Sequence, residues 1–451
     1  MVFVSRDPFT EKVIATYKES SDVEIERSLK KCEREHLAWA SLSINERLSR
    51  LRDVFRLMQA SRERLAQMIT KEMGKPIIQA RAEIDKSLSL LPYYESVAES
   101  IFSPSPVITA FGRAEIHHRP LGTILGIMPW NFPVWQVIRF AVPALLSGNA
   151  VIIKHAENVQ GVARLLSKIF SPLPAYAHLR LSRRKTQKLL SHPKIRGVSL
   201  TGSVQAGVAV AQTAGRYLKK SVLELGGSDA YLIFEDADIE LAARICAESR
   251  LVNAGQSCVS AKRFIVMKSI SKSFQEAFRT ELQKVTFSNP FEDGCLLGPL
   301  ARKDLRDHVH SQTKRSLSQG GKLLLGGILP KEKGYFYEPT LLSSISPGMA
   351  TFEEEVFGPV ASLIVASSEA QAVTLANKSS FGLGACLISR DPDRLKNLAR
   401  MNLEVGMVAI NMPVRSDPSL PFGGVKDSGY GRELGLLGPM EFVNSKVVVS
   451  A

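Results

Sequence analysis

Between residues 22 and 91, apolar positions recur every three or four residues with charges between them, the period of helices that bury one face. Gly74-Lys75-Pro76 breaks that pattern once. The segment therefore predicts a helical wrapping layer with solvated charged faces. After Ser103-Pro104-Ser105-Pro106 the period changes, and 111–119 reads as an extended, hairpin-like segment. Strand and helix signals then alternate, with strands at 123–128, 150–154, 198–201 and 221–224 and helices at 134–146, 159–170 and 204–215. Such alternation argues for parallel strands joined by crossover helices. A second set follows Gly226-Gly227, with strands at 230–234, 263–267 and 405–410 and helices at 239–251, 272–285 and 369–377. The last strand, 442–449, has the pattern of an exposed strand able to pair with another subunit.

At 451 residues the chain is too long for one hydrophobic core and implies two or three domains. Its most apolar window, 134–153, is interrupted by Arg139, Pro143, Gly148 and Asn149. It reads as buried helix, turn and strand, not as a membrane span of about 20 apolar residues. The N-terminus lacks the basic and apolar regions of a secretory signal. Five scattered cysteines, odd in number and without metal-ligand spacing, point to free thiols in a reducing cytoplasm and to no bound metal. A net charge of +14 raises nucleic acid as a partner. The basic residues are dispersed, however, and the densest cluster, at 180–188, has no interleaved aromatics. A generally basic surface that attracts anionic substrates and cofactors is the simpler expectation, with no nucleic acid and no membrane as partners.

Five places carry candidate chemistry. Cys258 follows Gly255-Gln256-Ser257, small and polar surroundings that suit a thiol on a loop. Glu224 ends the apolar run Val222-Leu223 and precedes Leu225-Gly226-Gly227. A carboxyl held in an apolar stretch has a raised pKa, as a general base near neutral pH requires. A salt-bridged structural glutamate is the alternative. Pro129-Trp130-Asn131-Phe132-Pro133 follows the first strand of the alternating region, where ligands bind in parallel sheets, and Asn131 carries an amide donor for an oxyanion. Thr201-Gly202-Ser203, with Gly207, lies between a strand and a helix and offers free N–H groups to a pyrophosphate. Lys154 and Glu157 follow another strand and carry groups suited to ribose or phosphate.

These motifs and their order, with Lys154-His155-Ala156-Glu157, Glu355-Val356-Phe357-Gly358-Pro359 and Pro421-Phe422-Gly423-Gly424, resemble the aldehyde dehydrogenase superfamily over essentially the whole chain. Within it the chain looks most like the bacterial succinate-semialdehyde dehydrogenases. The resemblance implies an α/β fold with a variant Rossmann cofactor domain (1–101 and 121–226), an α/β catalytic domain (227–427) and a small β oligomerisation element (102–120 and 428–451). It implies Cys258 as nucleophile, Glu224 as general base, and Asn131 with the Cys258 N–H as oxyanion hole. Lys154 and Glu157 would hold the adenosine ribose of NAD or NADP. Ser203 and Trp130 would hold the pyrophosphate, Gly202, Gly207 and Leu225 would also line the cofactor, and Glu355 and Phe357 would place the nicotinamide ribose and ring. A homodimer or homotetramer is expected.

Arg139, six residues beyond Pro133, stands where semialdehyde enzymes of this family carry an arginine for the substrate carboxylate, and Ser416 where they carry a substrate-contacting serine. A salt-bridged helix residue is the alternative for Arg139. The implied substrate is a short ω-carboxylated aldehyde such as succinate semialdehyde. Segment 171–180, next to the adenosine pocket, is shorter than the family's usual turn, which puts cofactor affinity in question. Glu157 disfavours a 2′-phosphate, so NAD is expected over NADP, while Arg180, Arg183 and Arg184 leave NADP open. A coenzyme A-acylating enzyme of the same fold is a competing function, and Glu224 argues against it because that chemistry needs no deacylating base. A homologue without activity, kept for binding, is the other.

Overall fold

The computed structural model describes residues 1–110 and 112–450. Two sheets dominate it, each with its own hydrophobic core, and Val259 and Met407 pack against both cores. In the first sheet five parallel strands lie side by side in the order Tyr176–His178, Ala150–His155, Thr123–Met128, Ile195–Thr201, Lys220–Glu224. Taken in chain order these are strands 3-2-1-4-5, so the winding reverses direction between Thr123–Met128 and Ile195–Thr201. The crevice beyond the carboxyl ends at such a reversal is where doubly wound sheets bind ligands. The helices expected after these strands form at Trp135–Leu146, Gln160–Ile169 and Val204–Arg216. Trp135–Leu146 is buried on every side, whereas Gln160–Ile169 and Val204–Arg216 each bury one face.

The second sheet has seven strands, six of them parallel: Thr340–Ser343, Val360–Ala366, Arg263–Met267, Ala230–Ile233, Gly384–Ile388 and Met407–Ile410. Lys322–Leu325 adds an antiparallel edge. The chain thus has the α/β architecture with a Rossmann-like sheet that the sequence implies.

The wrapping layer is more divided than expected. Besides the break at Gly74, helices end at Ser41, Ala60 and Leu88, and Ser21 and Ser43 form capping boxes with Glu24 and Glu46. Val2–Arg6 and Val13–Lys18 pair as an N-terminal hairpin that the sequence did not suggest. The shortened segment still adds a strand, Tyr176–His178, to the edge of the first sheet, and Leu179 donates to the Ile153 carbonyl beside it. The hairpin expected at 111–119 appears as Ser105–Thr109 against Gly112–Pro120, with Phe111 outside the described residues. The C-terminal strand Val443–Ser450 pairs antiparallel with Gly112–Pro120 of its own chain, and Ala451 lies outside the described residues. Among the described residues no helix is long and apolar enough to cross a membrane.

Candidate active site

The loop that carries Cys258 is built on unusual backbone. Asn253, Ala254 and Gly255 have φ of 53°, 53° and 74°, three consecutive left-handed residues. For Asn253 and Ala254 that conformation is costly and must be held by its surroundings. Asn253 is held on three sides. Its N–H donates to Gln79 Oε1 (2.8 Å), and its side-chain amide donates to the carbonyls of Asn131 (2.9 Å) and Gln256 (3.0 Å). Gln256 in turn donates to the Asn253 carbonyl and accepts from the Ala301 N–H. At Gly255 a Cβ would lie 2.3 Å from the Gly358 carbonyl oxygen, so the loop packs directly on Glu355-Val356-Phe357-Gly358.

The paired glycines after Glu224 serve the same close approach. A Cβ on Gly227 would lie 2.6 Å from the Cys258 carbonyl oxygen, and one on Gly226 would lie 2.6 Å from Glu355 Oε2. Only glycine lets the end of the first sheet meet the nucleophile loop of the second this closely. Glu355 then accepts the Gly227 N–H at 3.0 Å.

Cys258 is half-buried, and burial pushes its thiol up to about 11. Arg139 and Lys262 pull the other way, while Glu224 and Glu355 add to the rise. Lys262 was not singled out by sequence. It is buried beneath the loop and donates to the carbonyls of Ser257 (2.9 Å) and Cys258. Asn131 donates its side-chain amide to the Gln256 carbonyl at 3.1 Å, two residues from the thiol, which leaves its second amide hydrogen free for an oxyanion.

Glu224 is 2% exposed, and neither carboxyl oxygen has a hydrogen-bond partner. Burial raises its pKa well above the ordinary carboxylate range, and the nearby Glu433 carboxyl adds to the rise against Arg139 and Arg432. The salt-bridged alternative is not what the side chain adopts. An unpartnered buried carboxyl is costly, and it is the state of a proton acceptor waiting for a partner.

Around the winding reversal the remaining candidates gather. Lys154 is largely buried, which lowers its pKa, and the Glu157 carboxylate counters that while Arg183 adds to it. Ser203 caps the helix Val204–Arg216 by accepting the Ala206 N–H at 3.3 Å. Gly202 donates to the Glu224 carbonyl at 3.0 Å, and a Cβ on Gly207 would lie 2.5 Å from the Leu225 side chain, so this helix sits against the Glu224 strand. Trp130 meets Phe357 edge to face, with ring centroids 5.7 Å apart. This donor set fits a nicotinamide dinucleotide. A cation and a carboxylate suit a ribose, a helix N-terminus suits a pyrophosphate, and Glu355 with an aromatic pair suits the second ribose and ring.

A cavity of about 290 Å³ opens beside Cys258, at the small end of ligand pockets. Phe132, Trp135, Val259 and Phe422 give it apolar walls, and Lys86, Arg139, Arg415 and Ser416 also line it. Arg139 departs from its expected role as a free carboxylate clamp. Its Nε forms an ion pair with buried Glu433, its Nη2 donates to Thr201 Oγ1 at 3.3 Å, and its guanidinium lies 4.7 Å over the Phe422 ring. A buried arginine needs such a partner, and Glu433, far off in sequence, gave no signal that it would supply one. Ser416 accepts from Lys86 Nζ (2.7 Å) and Trp135 Nε1 (3.2 Å). Lys86 sat among the charges of an amphipathic helix and was read as solvated surface.

Comparison with known proteins matches these features to one family. The profile described as "Aldehyde dehydrogenase family" matches residues 2–448. The chain is 41% identical over 449 residues to the succinate semialdehyde dehydrogenase [NAD(P)+] of Escherichia coli, covering 99% of this chain and 97% of the relative. It is 37% identical over 450 residues to the succinate-semialdehyde dehydrogenase [NADP(+)] of Deinococcus radiodurans, covering 99% and 94%. Among solved structures, the succinic semialdehyde dehydrogenase of Streptococcus pyogenes in complex with NADP+ superposes with a TM-score of 0.96 at 32% identity, covering 99% of each chain.

Proposed function

The chain belongs to the aldehyde dehydrogenase family, and from that premise we propose that it oxidises succinate semialdehyde to succinate with NAD(P)+, using Cys258 as nucleophile and Glu224 as base. The observation that carries the substrate reading is the cavity beside Cys258, apolar along its walls and lined by three cationic side chains, Lys86, Arg139 and Arg415, while the two carboxylates in the lining, Glu83 and Glu248, are ion-paired with Lys75 and Arg415. A four-carbon aldehyde with a terminal carboxylate matches that combination. The relatives named for succinate semialdehyde support it.

In this reading the Cys258 thiol passes its proton to water in the cavity as its sulfur attacks the aldehyde carbon, since burial keeps the resting thiol protonated. The developing oxyanion takes hydrogen bonds from the Asn131 amide and the Cys258 N–H. Bound dinucleotide supplies the hydride acceptor. Lys154, Glu157 and Ser203 would hold its adenosine and pyrophosphate end, Glu355 and Phe357 its nicotinamide end. The resulting thioester on Cys258 is hydrolysed by a water whose proton passes to Glu224, the buried carboxyl with no other partner. That base favours hydrolysis over transfer to coenzyme A.

We assign 1–101 and 121–226 to the cofactor domain, 227–427 to the catalytic domain, and 102–120 with 428–451 to an oligomerisation element. Exposure along most of Val443–Ser450 supports a homo-oligomer that adds to this sheet. Five free thiols support a cytoplasmic setting. The test is NAD(P)H formation from succinate semialdehyde against butanal, an aldehyde of equal length without the carboxylate. A kcat/KM no better for succinate semialdehyde would refute the substrate, and no reduction with any aldehyde would refute the activity.

A further inference from the structure

Three cations line the cavity beside Cys258, and two of them are already neutralised. Arg139 is paired with Glu433 and Arg415 with Glu248. Lys86 differs. Among the described residues no carboxylate lies within ion-pair distance of its ammonium. It lies in the last turn of the helix Ile77–Leu88, half-buried, with its charge 4.8 Å from the Trp135 ring centroid. It donates a hydrogen bond to Ser416 Oγ, which also takes the Trp135 indole N–H. An ammonium has three donors, so two remain for a ligand. Burying an unpaired ammonium is costly in a free protein and is offset when an anion enters.

We propose that Lys86 is the residue that selects a carboxylated aldehyde, by ion-pairing the carboxylate of a substrate whose carbonyl carbon rests on Cys258, with Ser416 and the Trp135 indole fixing the geometry. Arg139 then serves mainly to hold Glu433 and the wall around Phe422, and contributes to the field of the pocket without gripping the substrate. The depressed Lys86 pKa, lowered to about 8 by burial and by Arg139 and Arg415 against Asp417 and Cys258, fits a cation kept ready for an anion. This inference rests on the proposed succinate-semialdehyde activity.

The test compares Lys86→Met, Lys86→Arg and Arg139→Met for kcat/KM with succinate semialdehyde and with butanal. Lys86→Met is expected to lower the ratio of the two by 30-fold or more, mainly through KM for succinate semialdehyde, and Lys86→Arg is expected to restore part of it. In the wild type, KM for succinate semialdehyde is expected to climb above about pH 8, and this climb should vanish in Lys86→Met. An unchanged ratio in Lys86→Met, or an equal fall for both aldehydes, overturns the proposal. So does a larger loss of the ratio in Arg139→Met than in Lys86→Met. The substrate reading fails separately, when the wild type itself shows no preference for succinate semialdehyde.

Discussion

Lys75 and Glu83 form an ion pair with neither side chain exposed to solvent, and that pair stands under the turn that carries Asn131. Glu83 Oε1 accepts the N–H groups of Val134 (2.8 Å) and Trp135 (3.1 Å), which begin the helix after the turn. Lys75 Nζ lies 3.8 Å from the centroid of Phe132. The wrapping layer thereby holds the turn of Asn131, the proposed oxyanion donor, although Gly74-Lys75-Pro76 reads in sequence as a mere break between helices.

Glu83→Gln keeps an acceptor for the two N–H groups but leaves Lys75 buried without its anion. The expected loss of stability is about 3–5 kcal/mol, the usual cost of breaking a buried pair from one side. Denaturant unfolding measures it. Adding Lys75→Met should recover part of the loss, because removing both charges costs less than stranding one. A double variant less stable than Glu83→Gln alone would contradict this account.

Glu72 gives a prediction in pH. It is buried, accepts the N–H groups of Gly161 (2.7 Å) and Val162 (2.9 Å) and the Ser5 hydroxyl (2.5 Å), and burial raises its pKa to about 7. The folded state therefore holds this proton more tightly than the unfolded chain does. Its stabilising contribution is complete below pH 4.5 and is lost as pH rises through about 7. The stability difference between the wild type and Glu72→Gln should fall across that window, by an amount on the order of 3 kcal/mol at 1.36 kcal/mol per pKa unit. A difference that is flat from pH 4.5 to 7.5 would exclude it.

Much of the fold was legible because period and chemistry agreed. Thr123–Met128 and Arg263–Met267 are apolar runs between turn signals, and both formed where the sequence put them. Val2–Arg6 and Tyr176–His178 were not legible, since short edge strands carry little periodicity and depend on the strand they pair with. The same limit applies to the site. Glycines beside Glu224 and Cys258 are visible as motifs, but the approach of Gly227 to the Cys258 carbonyl is visible only in three dimensions. That Arg139 is ion-paired with Glu433, almost three hundred residues away, is likewise visible only in three dimensions. Lys86 looked like any charge on an amphipathic helix until Trp135 and Ser416 were placed around it.

Glu157 is the residue we propose to set cofactor choice. Its carboxylate acts on Lys154 in the same electrostatic neighbourhood as Arg183. A 2′-phosphate entering beside Glu157 meets a like charge, whereas a ribose hydroxyl meets an acceptor. Glu157→Ser removes the repulsion and leaves Lys154 and Arg183 to attract the phosphate. The ratio of kcat/KM for NADP to that for NAD should rise at least about tenfold. Steady-state rates with both cofactors check this, and an unchanged ratio would place the discrimination elsewhere in the pocket.

The division of labour between Asn131 and Glu224 separates in time. Asn131 is tied to the Gln256 carbonyl beside Cys258, and in the proposed mechanism it acts while the oxyanion exists, in formation and in breakdown of the acyl enzyme. Asn131→Ala should therefore slow the first turnover by about 10²–10³, the usual cost of one oxyanion donor. Glu224 has no partner for either carboxyl oxygen, and in the proposed mechanism its charged form takes the proton of the deacylating water. Glu224→Gln should leave a first-turnover burst of NAD(P)H, near one per active site, followed by a steady state slowed about 10²–10⁴ through loss of the base. Rapid mixing of enzyme, cofactor and succinate semialdehyde distinguishes the two variants. If Glu224→Gln loses the burst as well, the carboxyl also takes the thiol proton, and its role extends from deacylation to the first attack.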